Sequence, residues 1–305
     1  MAKQFSELVR AMRPHQWVKN GLVLAALLFA RRWEHLPSVV SASLAFLAFC
    51  ALSSFTYLLN DIRDAEQDKL HPVKRHRPIA SGRLSAELAA VAAVVLLAAG
   101  LAVAFAVNLE TAIVAASYVG LTVLYQVGLK EIVILDVLAV AAGFVLRAVA
   151  GATAIRAEIS PWLLVCTVQL ALFLALGKRR QEIVLLGDGA ADHRSALGQY
   201  STYLLDQMIS VVTASTVMSY ALYTISARTV HEIGSTAMMY TIPFVIYGIF
   251  RYLYLIHTSG HGDAPERVLL TDKPLLVNIL LYLIAVIIIL QLAHPQPTAQ
   301  PPLPV

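Results

Sequence analysis

Apolar residues run along the chain in long blocks separated by short polar breaks. A helix needs roughly 20 mostly apolar residues to cross a bilayer. That rule picks out nine segments, near 15–33, 38–59, 85–107, 109–127, 132–154, 160–177, 202–226, 236–257 and 273–293. The first is the least regular, because its clean apolar core is only 21–30, bracketed by Trp17 and Trp33 like interfacial anchors. Ahead of it, Phe5, Leu8, Val9 and Met12 recur at i, i+3, i+4 and i+7. This amphipathic stripe predicts an interfacial helix over 1–13. The Pro-rich segment 295–305 reads as a disordered tail.

Composition sharpens the class. The chain has 305 residues, 58% hydrophobic and 14% charged, with a mean hydropathy of +0.71. Soluble domains run near 45–50% apolar and about 25% charged. The balance excludes a disordered chain, a nucleic-acid-binding domain and an ordinary soluble enzyme, and predicts one all-α polytopic membrane domain over 1–294. Cys50 and Cys166 each sit inside an apolar run, so neither a disulfide framework nor a zinc site is expected. No cleavable secretory signal is readable at the N-terminus.

Charge orients the layout. With the N-terminus in the cytoplasm of an inner (plasma) membrane, all but five of the 23 Lys and Arg fall on the cytoplasmic side or its helix ends. Arg31, Arg32, Arg156 and Arg228 lie opposite, and Arg147 lies within a helix. This positive-inside bias supports an odd helix count. Two connections, 60–84 and 178–201, are long, polar and both cytoplasmic. They follow the second and sixth helices, so helices 2–5 and 6–9 read as two four-helix halves after a leading helix. Paired halves often bind substrate between them.

The first long connection opens with Asn60, Asp61, Arg63, Asp64 and Asp68. On a helix Asp61, Asp64 and Asp68 share one face within about 60° of arc. Such carboxylates repel unless a cation joins them. Magnesium takes one or two carboxylates and fills its octahedron with phosphate oxygens and water. A solvated acidic face at a helix end is the plainer alternative. A cationic run follows: Lys69, His71, Lys74, Arg75, His76 and Arg77, then Pro78, Ile79, Ala80, Ser81 and Gly82. It suits either a polyanion held jointly by metal and protein or an anchor on anionic lipid.

The string NDxxDxxxD followed by HPxKRxRPIASG resembles the first aspartate motif of the UbiA superfamily of intramembrane prenyltransferases. The resemblance implies nine transmembrane helices around a cytoplasm-facing cavity capped by the two polar loops. Typical members carry a second aspartate-rich motif after the sixth helix. Here that place reads Lys178, Arg179, Arg180, Gln181, Glu182, with Asp188 and Asp192 only later, at i, i+4 spacing in a turn-like setting. KRRxE and the string RPHQWVKN at 13–20 resemble instead the branch typified by decaprenyl-phosphate phosphoribosyltransferase. Tyr125, Gln126, Lys130, Asp136 and 143–147 look like the same branch. That resemblance implies transfer of 5-phosphoribose from phosphoribosyl diphosphate (PRPP) to a polyprenyl phosphate, with Mg2+, for cell-envelope glycan precursors. Three phosphate groups then meet in one pocket, which favours extra cations over extra carboxylates. Arginine suits bidentate phosphate recognition.

The expected site is therefore Asp61, Asp64 and Asp68 as catalytic metal ligands. Lys19, Asn60, Arg63, Lys74, Arg75, Arg77, Tyr125, Lys130, Arg147, Lys178, Arg179 and Glu182 are the expected substrate contacts. Several of these keep a structural alternative. Lys19 could simply anchor its helix, Glu182 could form a salt bridge at i+4 from Lys178, and Arg147 could sit in an internal ion pair. Asp136 is about three turns from Arg147, too far for contact. Small residues over 139–152 suit helix packing, which allows a homo-oligomer without demanding one. The competing functions are a prenyltransferase joining a polyprenyl diphosphate to an aromatic or other acceptor, and a lipid-phosphate or ion transporter. A transporter would place its charges at mid-membrane.

Overall fold

The computed structural model describes residues 2–70, 74–187, 195–258 and 271–293. Asp188, Asp192, His71 and the 295–305 tail lie outside the described residues. All regular elements among those described are helical. Among the described residues eight helices are long and apolar enough to cross a membrane. The chain divides into two compact units, Met1–Ser160 and Pro161–Val305. The boundary falls at the start of the sixth predicted segment, where the sequence reading divided the two halves.

The first unit opens with α1 (Ala2–Met12), a 3-10 helix (Pro14–Leu24) and the short α2 (Ala25–Phe29). It continues with α3 (Leu36–Arg63), α4 (Ala65–Leu70), α5 (Ala86–Val107), α6 (Leu109–Val127) and α7 (Leu135–Ala154). The leading segment is thus not a regular spanning helix. Pro14 opens it, Arg13 precedes it in a left-handed conformation (φ 54, ψ 62), and Gln16 and Asn20 are buried along it. A 3-10 helix rises about 2.0 Å per residue, so the 11 residues of Pro14–Leu24 with the 5 of α2 extend roughly 30 Å. That length matches a bilayer core even though the segment fails as a long α-helix.

α3 is the centre of this unit and packs on α5, α6, α7, α1 and the 3-10 helix. Its buried face is Ala45, Ala48, Phe49 and Leu52, met by Ala104, Ala115, Tyr118, Ala150 and Ala154. Small residues let the backbones approach closely. The tightest approach is at Gly151, where a Cβ would lie 1.9 Å from the Val23 carbonyl oxygen. The predicted α1 stripe divides between two surroundings. Leu8 and Met12, with buried Ala11, pack on Phe55, Leu58, Ile79 and Leu84, while Phe5 and Val9 stay exposed.

The second unit holds α8 (Pro161–Leu186), α9 (Thr202–Ile225), the short α10 (Ala227–Ile233), a 3-10 turn (Ala237–Thr241) leading into α11 (Ile242–Thr258), and α12 (Lys273–Leu292). Helix starts carry their chemistry in the sequence. Ser85, Asn108, Ser201 and Asp272 each accept a hydrogen bond from the backbone N–H three residues on, opening α5, α6, α9 and α12. Outward faces are apolar, as Val91, Val94 and Phe105 on α5 and Val277, Leu280 and Ile284 on α12 illustrate. Such faces suit lipid rather than water.

Candidate active site

The acidic motif lies where α3 ends. α3 stops at Arg63, Asp64 breaks the regular geometry (φ −90, ψ 7), and α4 resumes at Ala65. The i−4 hydrogen bonding nevertheless continues across the break, from Asp64 N to Asn60 O (2.9 Å) and from Asp68 N to Asp64 O (2.8 Å). Asp61 and Asp68 are both buried, at 1% and 3% exposure. Burial of a lone carboxylate is costly, so each needs a cationic partner. Arg77 Nη1 donates to Asp61 Oδ1 (3.1 Å) and to Asp68 Oδ2 (2.7 Å). Arg13 Nη2 donates to the same Asp61 oxygen at 2.6 Å.

Each arginine is set in place by its surroundings. Arg77 follows the 3-10 turn Lys74–His76. The next residues, Ile79 and Ala80, are buried and Ile79 packs into the α1–α3–α5 core. Gly82, at φ +72, closes the turn, and Leu84 N returns to Pro78 O at 3.0 Å. The PIASG string is thus an anchor that presents Arg77. Arg13 stacks 5.0 Å above the Tyr57 ring. A left-handed arginine costs about 1 kcal/mol or more, and here it faces the most buried carboxylate of the motif.

The three aspartates are not gathered as expected. Among the described residues no three His, Cys, Asp or Glu side chains come together closely enough for one ion. The break at Asp64 turns its carboxylate toward Lys130 Nζ, 3.7 Å away, while Arg77 bridges the other two. Asp61 and Asp68 do fit a divalent cation. They already share one cationic group, and Asp61 Oδ2 is buried with no hydrogen-bond partner among the described residues. Two carboxylates with an open oxygen match magnesium's preference for few protein ligands.

The remaining expected contacts sort by what they touch. Arg63 Nη1 donates to the Gln126 carbonyl (2.5 Å), tying α3 to the end of α6. Gln126 reaches back from α6 to Thr56 O (3.0 Å). Arg75 is exposed and its Nε donates to His76 Nε2 at 3.3 Å. Asn60, Lys74, Tyr125 and Lys19 are half-buried in the first unit. Arg147 is 7% exposed, and its guanidinium is taken up by the protein. It donates to Asn20 Oδ1 (2.8 Å), Gly143 O (3.0 Å) and Tyr118 OH (2.8 Å) and lies over the Tyr118 ring. Asn20 in turn donates to Ser53 Oγ (3.1 Å). Arg147 therefore pins the 3-10 helix to α3, α6 and α7.

In the second unit α8 runs on through the basic string to Leu186. It ends at Gly187 in a left-handed conformation. Lys178 and Glu182 are half-buried and Arg179 is buried. Arg179 forms an i, i+3 ion pair with Glu182. Arg180 Nε donates to Asp206 Oδ1 (2.5 Å) on α9, with His257 Nε2 3.5 Å from the same oxygen. The sequence reading missed Arg13, Asn20 and Asp206. Arg13 and Asn20 bound the RPHQWVKN string, so that string held the signal. Asp206 is an isolated acid in an apolar run and carried none.

Comparison with known proteins agrees with this architecture. The UbiA prenyltransferase family matches residues 21–272. A decaprenyl-phosphate phosphoribosyltransferase of Corynebacterium glutamicum is 36% identical over 92% of this chain and 85% of its own. The protein of that name from Mycolicibacterium smegmatis is 35% identical over 91% and 90%. Among solved structures, a UbiA homolog from Archaeoglobus fulgidus bound to DMAPP and Mg2+ superposes with a TM-score of 0.71. It covers 94% of this chain and 99% of that one at 19% identity, which speaks for the fold. With eight membrane-length helices among the described residues, the acidic motif at the end of α3 and a family match over most of its length, the chain belongs to the UbiA prenyltransferase family.

Proposed function

We propose that this protein is a magnesium-dependent polyprenyl-phosphate phosphoribosyltransferase, taking 5-phosphoribose from PRPP to a decaprenyl-like phosphate and releasing diphosphate. The carrying observation is the similarity, above one-third identity over nine-tenths of the chain, to relatives that bear the name of that activity. The local geometry supports it. Around the buried Asp61–Asp68 pair stand Arg13 and Arg77, with Lys130 against Asp64. Lys178 and Arg179 supply positive charge at the end of α8. Positive-inside bias supports an N-terminus and motif loops on the cytoplasmic side, and 1–294 acts as one catalytic domain.

Asp61 and Asp68, with Asp64 beside them, would hold the metal, whose charge supports the diphosphate as Lewis acid and template. Arg77 and Arg13, which pair with these carboxylates, would neutralise the charge that builds on the diphosphate as the C1–O bond lengthens. Stabilisation of developing charge by fixed groups is often the largest catalytic term. The lipid phosphate oxygen forms the new bond to C1, and diphosphate leaves with the electron pair of the broken one. The attacking phosphate is already an anion, so no general base is needed.

Purified protein given labelled PRPP, magnesium and a polyprenyl phosphate should place acid-labile label in the organic phase, and chelator should abolish it. Asp61→Ala should lower this transfer by at least about a hundredfold. Transfer only when a polyprenyl diphosphate and an aromatic acceptor are offered would replace this reading with the prenyltransferase one.

A further inference from the structure

Asp61 and Asp68 carry two negative charges, and Arg13 and Arg77 meet them with two positive ones. The guanidinium pair thus supplies the charge of one divalent cation, on the same two carboxylates, at Asp61 Oδ1 and Asp68 Oδ2. The burial is asymmetric. The carboxylate of Asp61 is 1% exposed, whereas the Arg13 and Arg77 side chains are each 22% exposed. The carboxylates are therefore enclosed, while part of each arginine side chain reaches the surface. Arg13 has a second resting surface in the Tyr57 ring, which would keep its cation near when it leaves Asp61.

We infer that Arg13 and Arg77 are exchangeable cations, which compete with a divalent metal for Asp61 and Asp68 and, when the metal is bound, turn to the diphosphate. The inference rests on the metal–diphosphate reading of this site. It makes Arg13 a substrate-binding residue that couples the two ligands. Metal alone must displace arginine charge, whereas metal with diphosphate gives that charge a new partner. Each ligand then favours the other, and the coupling is reciprocal.

Manganese binding to the full-length protein, followed by electron paramagnetic resonance without any sugar donor, tests this. Arg13→Gln removes one competing charge and should tighten manganese binding about tenfold, an ordinary size for coupling between sites. Methylenediphosphonate should then strengthen manganese binding less in Arg13→Gln than in the unmodified protein. Arg13→Lys, which keeps the charge, should stay near the unmodified protein. Thermal melts confirm that each variant is folded. Should Arg13→Gln fail to fold, Arg77→Gln carries the same expectation. Unchanged or weaker manganese binding in the folded variant overturns the exchange, as does the absence of manganese binding in every form. The phosphoribosyl donor enters only the transfer assay, so the exchange and the phosphoribosyl reading can fail separately.

Discussion

The three hydrogen bonds of Arg147 end on neutral partners, Asn20, Gly143 and Tyr118. A charge deep in a membrane helix reads from sequence as a substrate contact or an internal ion pair, and the geometry gives it neutral partners through which it ties the 3-10 helix to α6 and α7. Arg147→Lys cannot reproduce the planar fork. It should lower thermal stability by about 2 kcal/mol, the scale of a lost charged hydrogen bond. The KM for donor should not change, and a large KM effect with unchanged melting would restore the substrate role. Gly151 makes a sharper case. Any Cβ there meets the Val23 carbonyl at 1.9 Å, a backbone atom with little room to move. Gly151→Ala should destabilise by about 1–3 kcal/mol, the usual cost of overpacking, as a melt in detergent would register. Sequence showed a small-residue stretch over 139–152, but not which member carried the contact, because the opposing backbone belongs to a segment 128 positions away.

Elements were easier to read than their ends. All eight membrane-length helices among the described residues were legible from apolar runs alone, and the start of α9, for example, coincides with its predicted one. α8 was expected to end near 177 but reaches Leu186, because Lys, Arg, Gln and Glu are good helix formers and the stop comes only at Gly187. The leading segment misled in the other direction. Its hydropathy suggested a spanning helix, while Pro14 and the buried Gln16 and Asn20 accompany a 3-10 helix. At α12, Asp272 does two jobs. It caps Leu275 N at 2.9 Å and pairs with Arg251 Nη2 at 2.8 Å. The hydrogen bond from Arg251 is the main reason its carboxyl is held below the ordinary value. A depressed folded pKa means that the contribution is present above the unfolded value of about 3.9 and lost as pH falls through the lower folded one. The α11–α12 tie should thus be constant near neutrality and weaken only in acid. Asp272→Asn keeps the cap and loses the ion pair, so it should melt lower than the unmodified protein at pH 7 and lose that acid-dependent step. Asp272→Ala should lose about 1 kcal/mol more, for the cap. An unchanged acid step in Asp272→Asn would assign it to another group.

At the scale of the whole molecule, two units, each with four long helices among the described residues, carry polar segments with their own cations. The sequence displayed both polar segments and their charge. It did not reveal that Arg13, forty-eight residues before Asp61, joins the acidic motif. Nor did it reveal that Asp64 separates from Asp61 and Asp68. Both depend on long-range packing and on a break in the helix that no local spacing announces. The central claim is that phosphoribose, with its own phosphate, moves to a lipid phosphate. The most direct measurement uses PRPP labelled at a single position. Label on the 5-phosphate should enter the lipid fraction with magnesium and polyprenyl phosphate, and label on the diphosphate should remain in water. Diphosphate label in the lipid, or 5-phosphate label that stays in water with folded protein, would contradict the account.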